Sequence, residues 1–288
     1  DLFFIEFAVN DDQDAGHARR ECIRGMEGII RQCRKHNPNI DIIVTFFVNP
    51  SMLEMLQNGK TPISMGSHTE VLEHYDVSTI HLAREAADRI TAGTLTWKEY
   101  GGTHPKPPGN RIGADMIVRL LDDAWSKPLA KNAKPIAHPT PKDHLDEDSY
   151  SNGRFQSLDT ASTDGGWKVH KPEWKNIPGG KRARFTSIPL LCATEPGSET
   201  TVKFTGKAVG AFVVAGPDAG IVEASIDGGD FKKVDLFHRF SRGLHYPRTV
   251  MFAADLDDGD HLLRLRISAA ANKDSKGHAA RIIQFAVN

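Results

Sequence analysis

The length and the charge of the chain limit what it can be. With 288 residues it is long enough for two domains, each with a core of its own. Its 36 Lys and Arg residues nearly balance 37 Asp and Glu residues, and a formal charge of -1 gives no long-range attraction to nucleic acid or to an anionic membrane. The longest apolar runs, 2–9 and 40–48, are far shorter than the roughly 20 residues of a membrane-spanning helix. We therefore expect neither nucleic-acid binding nor membrane insertion.

The cysteines do not form a disulfide scaffold. There are three of them, Cys22, Cys33 and Cys192, so they cannot all pair. Cys22 and Cys33 lie on one expected helix, and their separation corresponds to about 16 Å along its axis, which is beyond disulfide reach. Cysteine usage therefore leaves the cellular compartment undetermined.

The first part of the chain alternates between strand-like and helix-like segments. Residues 2–9 and 40–47 are compact runs of β-branched and aromatic residues, which is typical of strands buried on both faces of a parallel sheet. Between them, apolar residues recur at helical spacing from about Ala15 to His36. This pattern predicts a right-handed strand-helix-strand unit. Because the chain opens directly on a buried strand, we expect it to be truncated, with further sequence before Asp1.

Further helices follow the second strand. Ser51 with Glu54 and Ser67 with Glu70 have the spacing of capping boxes, so each pair predicts the start of a helix. The last helix is expected over 108–125. The alternation of strands and helices predicts an α/β layer fold with a parallel sheet.

The composition changes near Lys127. Residues 133–148 are rich in Pro, Ala, Lys, His and Asp and have no periodicity, so we interpret them as a linker. This assigns residues 1–132 to the α/β domain and residues 149–288 to a second domain.

The second domain has the pattern of an antiparallel β-sandwich, of jelly-roll type. Short strand-like runs are separated by turn signals such as Asp227-Gly228-Gly229, and none has helical periodicity. The expected strands are 184–188, 200–204, 208–215, 221–226, 249–253, 261–268 and 280–287.

Two segments of the α/β domain could carry chemistry. Asn10 follows an expected buried strand, at the edge where open α/β sheets bind their ligands, and its amide could stabilise an oxyanion. His104 lies in a polar loop directly before the last helix and could act as a general base. An Asn donor and a His base are two parts of an acyl-transfer site. Taken alone, Asn10 and Asp11 could also be simple strand-ending residues, since both favour turns.

These two segments resemble conserved blocks of SGNH hydrolases, also called GDSL-type hydrolases. In that family the third block ends a strand with G-x-N-D, and the fifth reads D-x-x-H-P before the final helix. The chain has A-V-N-D at 8–11 and G-G-T-H-P at 101–105. The resemblance covers roughly residues 1–126, which look like bacterial esterases of this type, while residues 149–288 resemble a β-sandwich appended to some carbohydrate-active members. It implies a flavodoxin-like three-layer α/β domain.

The chain departs from the family pattern at three points. The blocks with the nucleophilic serine and an oxyanion-hole glycine would precede Asp1, the motif glycine is Ala8, and the usual position of the triad aspartate is Gly101. Some family members orient the histidine with a main-chain carbonyl. We favour that arrangement here, with Glu99 and Asp115 as the alternative acids.

Other candidate residues have simpler explanations. Ser51 follows a strand and begins a helix, but its neighbours lack the glycines of a nucleophile elbow, and a capping role accounts for it. His68, His74 and His81 do not have a recognised metal-binding spacing, so no metal and no cofactor is expected. Several aromatic side chains of the second domain could form a sugar-stacking face or could be packing residues. They are Trp167, Trp174, Phe237, His238, Phe240, His245 and Tyr246.

We interpret the chain as part of a serine esterase. The expected substrate is an acylated carbohydrate or another small ester, with His104 as catalytic base and Asn10 in the oxyanion hole. The fragment without its serine should be inactive. The family resemblance implies a secreted or periplasmic location. The alternative is a non-catalytic carbohydrate-binding or interaction protein with a degenerate hydrolase half.

Overall fold

The computed structural model describes residues 1–12 and 18–288, which form two compact units. Unit 1 comprises Asp1–Ser151 and unit 2 comprises Asn152–Asn288. In the described residues, no helix combines the length and the apolar character needed to cross a bilayer.

Unit 1 is built on a three-stranded parallel sheet. Its strands are β1 (Leu2–Ile5), β2 (Asp41–Thr45) and β3 (Ser78–Ile80), in the spatial order β1-β2-β3. The helices of the unit are α1 (Ala8–Asn10), α2 (Arg19–His36), α3 (Pro50–Gln57), α4 (Ile63–His74), α5 (Leu82–Thr91), α6 (Trp97–Tyr100) and α7 (Pro107–Ala124). The α/β fold expected from the sequence is confirmed. The beginning of the first expected helix, at Ala15, lies outside the described residues.

The first strand is shorter than its apolar run. It ends at Ile5, and residues 8–10 form a helical turn instead of continuing the strand. The turn is closed by main-chain hydrogen bonding from Asp11 N to the carbonyl oxygen of Phe7 at 3.0 Å. The prediction of a strand through Val9 was wrong. Phe7, Ala8 and Val9 are apolar, as residues of a buried strand are, but their backbone forms a helical turn.

Strand β1 lies at the edge of the sheet and is exposed on both faces. Phe3 and Phe4 keep 42% and 41% of their surface accessible. Successive strand residues point to opposite faces, so neither face of β1 is covered along this stretch. Ile5, by contrast, is buried in the core of the unit.

Two helix starts differ from the expected capping boxes. Helix α3 is capped by Asn49, whose side-chain oxygen accepts a hydrogen bond from Met52 N at 2.9 Å. Helix α4 begins at Ile63, so Ser67 lies inside it and donates to the Ile63 carbonyl at 2.8 Å. Neither Ser51 nor Ser67 is therefore a capping residue.

The segment expected as a linker, residues 133–148, is part of unit 1 and packs along α2. The Arg34 guanidinium donates to the Pro139 carbonyl at 2.7 Å. The buried carboxylate of Glu27 accepts hydrogen bonds from the main-chain N–H groups of Leu145 and Asp146, at 2.8 and 3.1 Å. These contacts are polar, which is why the absence of apolar periodicity suggested a free connection.

Unit 2 contains two antiparallel sheets. Their spatial orders are β11-β10-β13-β8-β5 and β12-β9-β14-β7-β6, and β4 also pairs with β14. The strands are β4 (Arg154–Gln156), β5 (Ala161–Thr163), β6 (Lys168–His170), β7 (Leu190–Ala193), β8 (Glu199–Thr205), β9 (Val209–Ala215), β10 (Ile221–Ile226), β11 (Lys232–Asp235), β12 (Tyr246–Ala253), β13 (Asp260–Ile267) and β14 (Ala280–Val287). The β-sandwich is confirmed. The strand expected over 184–188 is instead a short helix, α8 (Ala183–Thr186).

Alternate residues of both sheets share one core. In β13, for example, Leu263, Leu265 and Ile267 are buried while the residues between them are less so. Trp167 and Phe237, two of the candidate sugar-stacking residues, belong to this core. His245 is buried as well, whereas Trp174, His238 and Tyr246 are half-buried and Phe240 is 38% exposed.

Candidate functional site

Asn10 is presented by the helical turn that follows β1. We refer to residues 8–12 as the Asn10 turn. Ala8 and Val9 are buried under the turn, while Asn10 is exposed. The turn lies at the carboxyl end of a parallel strand, where α/β sheets bind their ligands. Asn10 therefore lies on the exposed side of the turn, at the carboxyl end of β1.

The two residues after Asn10 are bound by side chains from other elements. The Asp11 carboxylate contacts Nε2 of His68, on α4, at 2.9 Å. The Asp12 carboxylate accepts a hydrogen bond from the Asn49 amide, at the start of α3, at 2.7 Å. The Asn10 turn is thus held against two helices immediately beyond its candidate functional residue.

Glu6 supports the turn from the strand side. Its carboxylate accepts a hydrogen bond from Val9 N at 3.2 Å and another from the main chain of Phe47, which follows β2. Burial raises the pKa of Glu6 above its ordinary value, and these two hydrogen bonds partly oppose the rise. Sequence reasoning missed Glu6 because a single acidic residue inside an apolar run has no motif.

Glu6 also lies near the segment that carries His104. Burial, with the Glu6 charge as a second cause, raises the pKa of Tyr100 to about 12. Tyr100 ends α6, and its buried hydroxyl has no hydrogen-bond partner among the described residues. The Glu6 carboxylate at the carboxyl end of β1 is therefore close enough to the end of α6 for its charge to act on Tyr100.

His104 lies in the connection between α6 and α7, residues 101–106, which we call the His104 loop. The side chain of His104 is exposed. The loop is closed by main-chain hydrogen bonding from Lys106 N to the Tyr100 carbonyl at 2.9 Å. Asn110 supports it by donating to the Pro105 carbonyl at 3.1 Å. The loop has a defined shape although its histidine faces solvent.

Gly101 cannot be replaced by a residue with a side chain without moving this loop. Its φ of +107° is in the region that favours glycine. A Cβ at this position would lie 2.2 Å from Lys106 N. The position at which the sequence resemblance would put an aspartate is therefore sterically closed to a side chain here.

The two alternative acids are engaged elsewhere. Glu99 accepts hydrogen bonds from Thr96 N at 2.8 Å and from its hydroxyl at 2.7 Å, and together they form the capping box of α6. These bonds lower the pKa of Glu99. Asp115 forms a solvent-exposed ion pair with Arg111 at 2.9 Å. The sequence contains the signal for the capping box, a Thr followed three residues later by Glu, but it was not identified there.

Ser51 has polar partners but no histidine among its hydrogen-bond partners in residues 1–12 and 18–288. Its hydroxyl lies 2.7 Å from Oδ1 of Asn49 and 3.3 Å from the Asp12 carboxylate. A nucleophilic serine needs a base within hydrogen-bond reach. Ser51 instead supports the contact between Asn49 and the Asn10 turn.

A groove of about 650 Å³ opens beside α4. Its floor includes Leu56 and Met65, and His81 and Arg84 contribute polar groups. Burial and the charge of Arg84 lower the pKa of His81. The His81 ring packs on Phe46 with their centroids 4.7 Å apart. The groove combines an apolar floor with hydrogen-bonding groups, as ligand pockets commonly do.

Comparisons with known proteins identify the fold. No family model matches the chain, and no curated protein matches it either. Two solved structures of a two-domain esterase (CEX) active on acetylated mannans, one co-crystallised with mannopentaose, align with the entire chain. Their TM-scores are 0.74 and 0.73, their identities are 15% and 16%, and the chain covers 72% of each. A family two carbohydrate esterase from Cellvibrio japonicus matches 47% of this chain and 32% of its own, at 13% identity, but its TM-score of 0.31 is too low to support an inference. The chain therefore has the two-domain fold of the CEX esterase.

Proposed function

We propose that this chain is part of an esterase that removes acyl groups, such as O-acetyl groups, from a carbohydrate. The observation that carries the proposal is the position of Asn10 on a clamped turn at the carboxyl end of β1. The effect of the Glu6 charge on Tyr100, which precedes the His104 loop, supports a common location for the two segments. The fold shared with an esterase active on acetylated mannans supports the choice of reaction and of substrate. Export to the periplasm or out of the cell belongs to the same proposal, because polysaccharide substrates are external.

The proposed mechanism is a serine acyl-enzyme reaction. His104 removes the proton from the serine hydroxyl, whose oxygen attacks the ester carbonyl and forms a tetrahedral intermediate. The Asn10 amide donates a hydrogen bond to the oxyanion. The intermediate expels the sugar alcohol, which takes the proton from His104. His104 then activates a water molecule that releases the carboxylic acid and restores the serine.

The serine comes, in this proposal, from a segment that precedes Asp1. The open edge of β1 and the exposed rings of Phe3 and Phe4 support the addition of a further strand at this edge. A parallel strand paired there would place its carboxyl end beside the Asn10 turn. His104 is oriented by a main-chain carbonyl, since Gly101 carries no carboxylate and Glu99 and Asp115 are engaged elsewhere.

The test is acetate release from acetylated mannan by the protein extended through its upstream sequence. His104→Ala should lower kcat by about 10⁴-fold or more, because the serine loses its base. His36→Ala, which removes another exposed histidine of unit 1, is the matched control and should retain activity. The 288-residue chain alone should show no turnover of p-nitrophenyl acetate above its own His104→Ala variant. A kcat within about tenfold of wild type for extended His104→Ala would overturn the proposal and favour a non-catalytic binding protein.

A further inference from the structure

Three metal-binding side chains meet beside the Asn10 turn. They are Asp11, which follows Asn10, Cys22 on α2 and His68 on α4. One donor atom from each lies within 4.8 Å of the other two. Sequence motifs for metal sites do not connect residues this far apart in the chain, so the cluster becomes visible only in the fold.

The cluster is largely buried, with Asp11 on its solvent side. Cys22 and His68 are 0% and 1% exposed, and the Asp11 side chain is 18% exposed. Burial, with the neighbouring Asp11 carboxylate as a further cause, raises the pKa of the Cys22 thiol to about 12. A metal ion bound here would displace the thiol proton, because the thiolate is the metal-binding form of cysteine.

The geometry suits a small tetrahedral ion. Zinc binds sulfur at about 2.3 Å and nitrogen or oxygen at about 2.0–2.2 Å, so its ligand atoms lie roughly 3.3–3.7 Å apart. The His68 Nε2 and Asp11 Oδ2 atoms are 2.9 Å apart, and no pair in the cluster exceeds 4.8 Å. Shifts of about an ångström or less per atom complete the arrangement.

We propose that Asp11, Cys22 and His68 form a binding site for one transition-metal ion, with Zn²⁺ as its best-fitting occupant. A set with one sulfur, one nitrogen and one oxygen donor selects zinc over Mg²⁺ or Ca²⁺, which prefer oxygen ligands alone. On binding, the Cys22 sulfur loses its proton to solvent and a water molecule fills the fourth position. The ion joins α2 and α4 to the residue that follows Asn10, so it stabilises the Asn10 turn.

The first test is metal content. The 288-residue chain, without an affinity tag, is stripped with a chelator, incubated with Zn²⁺ and desalted, and zinc is measured per chain. Wild type should retain one zinc, and Cys22→Ser and His68→Asn should lose it. Cys33→Ser, on the same helix as Cys22, and His74→Asn, on the same helix as His68, are the matched controls and should retain it.

The second test keeps all three proposed metal ligands, so it does not depend on whether a variant of a ligand residue folds. Cys33→Ser/Cys192→Ser leaves Cys22 as the single thiol, because the chain has three cysteines. Loaded with Co²⁺, this variant should show a thiolate-to-cobalt charge-transfer band and the visible bands of tetrahedral cobalt. Because both tests measure the metal and not ester hydrolysis, the metal site and the proposed function succeed or fail separately.

Two results would overturn the metal site. One is a wild-type chain that retains no more zinc than Cys22→Ser. The other is cobalt binding without a thiolate band in Cys33→Ser/Cys192→Ser. In either case Asp11, Cys22 and His68 form only a hydrogen-bonded cluster.

Discussion

The Asn10 turn and the His104 loop are held in place by different chemistry. Side chains hold the Asn10 turn, through Asp11 with His68 and Asp12 with Asn49. The His104 loop is held mainly by main-chain packing, through Gly101 and the hydrogen bond from Lys106 N to the Tyr100 carbonyl, with one side-chain contact from Asn110. A side-chain contact can be removed one group at a time, whereas a closely packed glycine cannot gain even a methyl group. The two segments should therefore respond differently to substitution.

The largest expected effect on stability is at Gly101. Gly101→Ala places a Cβ against Lys106 N and also strains a positive φ, so the free energy of unfolding should fall by about 3 kcal/mol or more. Gly102→Ala is the matched control: its φ is +91°, but nothing lies within 4 Å of its Cβ, and about 1–2 kcal/mol is expected. Urea unfolding of both variants measures the difference. Equal losses would show that the loop is not closely packed.

A smaller loss is expected at Asn49, which both caps α3 and binds Asp12. Asn49→Ala should lower the free energy of unfolding by about 1–2 kcal/mol, because Met52 N and the Asp12 carboxylate each lose a partner. Ser51→Ala should cost less than about 0.5 kcal/mol, since Ser51 is exposed. Thermal unfolding of the two variants decides between the two candidate caps. A larger loss for Ser51→Ala would restore the capping box expected from the sequence.

Smaller still are the pH effects of Glu6 and Glu99, which should have opposite signs. The pKa of Glu6 is raised on folding, so wild type loses stability as pH rises from the ordinary pKa of 4.5 through the folded-state pKa. Glu6→Gln cannot ionise, and its stability relative to wild type should rise over that window.

The pKa of Glu99 is lowered on folding, so its contribution to stability is lost as pH falls below 4.5. The stability of Glu99→Gln relative to wild type should therefore fall as pH rises towards 4.5.

Urea titrations of chelator-treated protein between about pH 3 and 7 measure both slopes, since the window brackets the ordinary carboxyl pKa. Asp143→Asn, at a carboxylate outside both segments, is a control for general electrostatic effects. Slopes of the same sign for Glu6→Gln and Glu99→Gln would contradict the different surroundings described for the two groups.

The smallest expected effect is the change in kcat when the alternative acids, Glu99 and Asp115, are substituted. In the extended protein, Glu99→Gln and Asp115→Asn should each change kcat by less than about tenfold, because their carboxylates bind Thr96 and Arg111 rather than His104. Loss of a true triad acid approaches about 10⁴-fold. A loss near that size in either folded variant would make that residue the third member of the triad.

Helices and strands were predictable where the apolar periodicity of the sequence extends over several turns or residue pairs. The apolar stripe of α2 and the alternation of β13 both span several turns or residue pairs, and both elements form as expected. The three-residue strands β4, β5 and β6 are too short to show a period, so they were missed. The helical turn at 8–10 was missed because its residues are individually strand-like.

The candidate site was only partly predictable for a related reason. Asn10 and His104 belong to local motifs, and the position of Asn10 at the carboxyl end of β1 follows from the chain order. Asn49 could have been identified as a cap, because Pro50 directly follows it at the first helical position. Glu6, Cys22 and His68 depend on contacts between distant elements, and no local pattern encodes such contacts.

The central claim is that the Asn10 turn and the His104 loop serve one reaction, and a double-mutant cycle in the extended protein tests it most directly. Asn10→Ala alone should lower kcat for acetate release by about 10²–10³-fold, and His104→Ala alone by about 10⁴-fold or more. Because groups of one catalytic unit are not additive, the double variant should be little worse than His104→Ala. Losses that multiply fully, or an Asn10→Ala variant as active as wild type, would show that the two residues do not share a site.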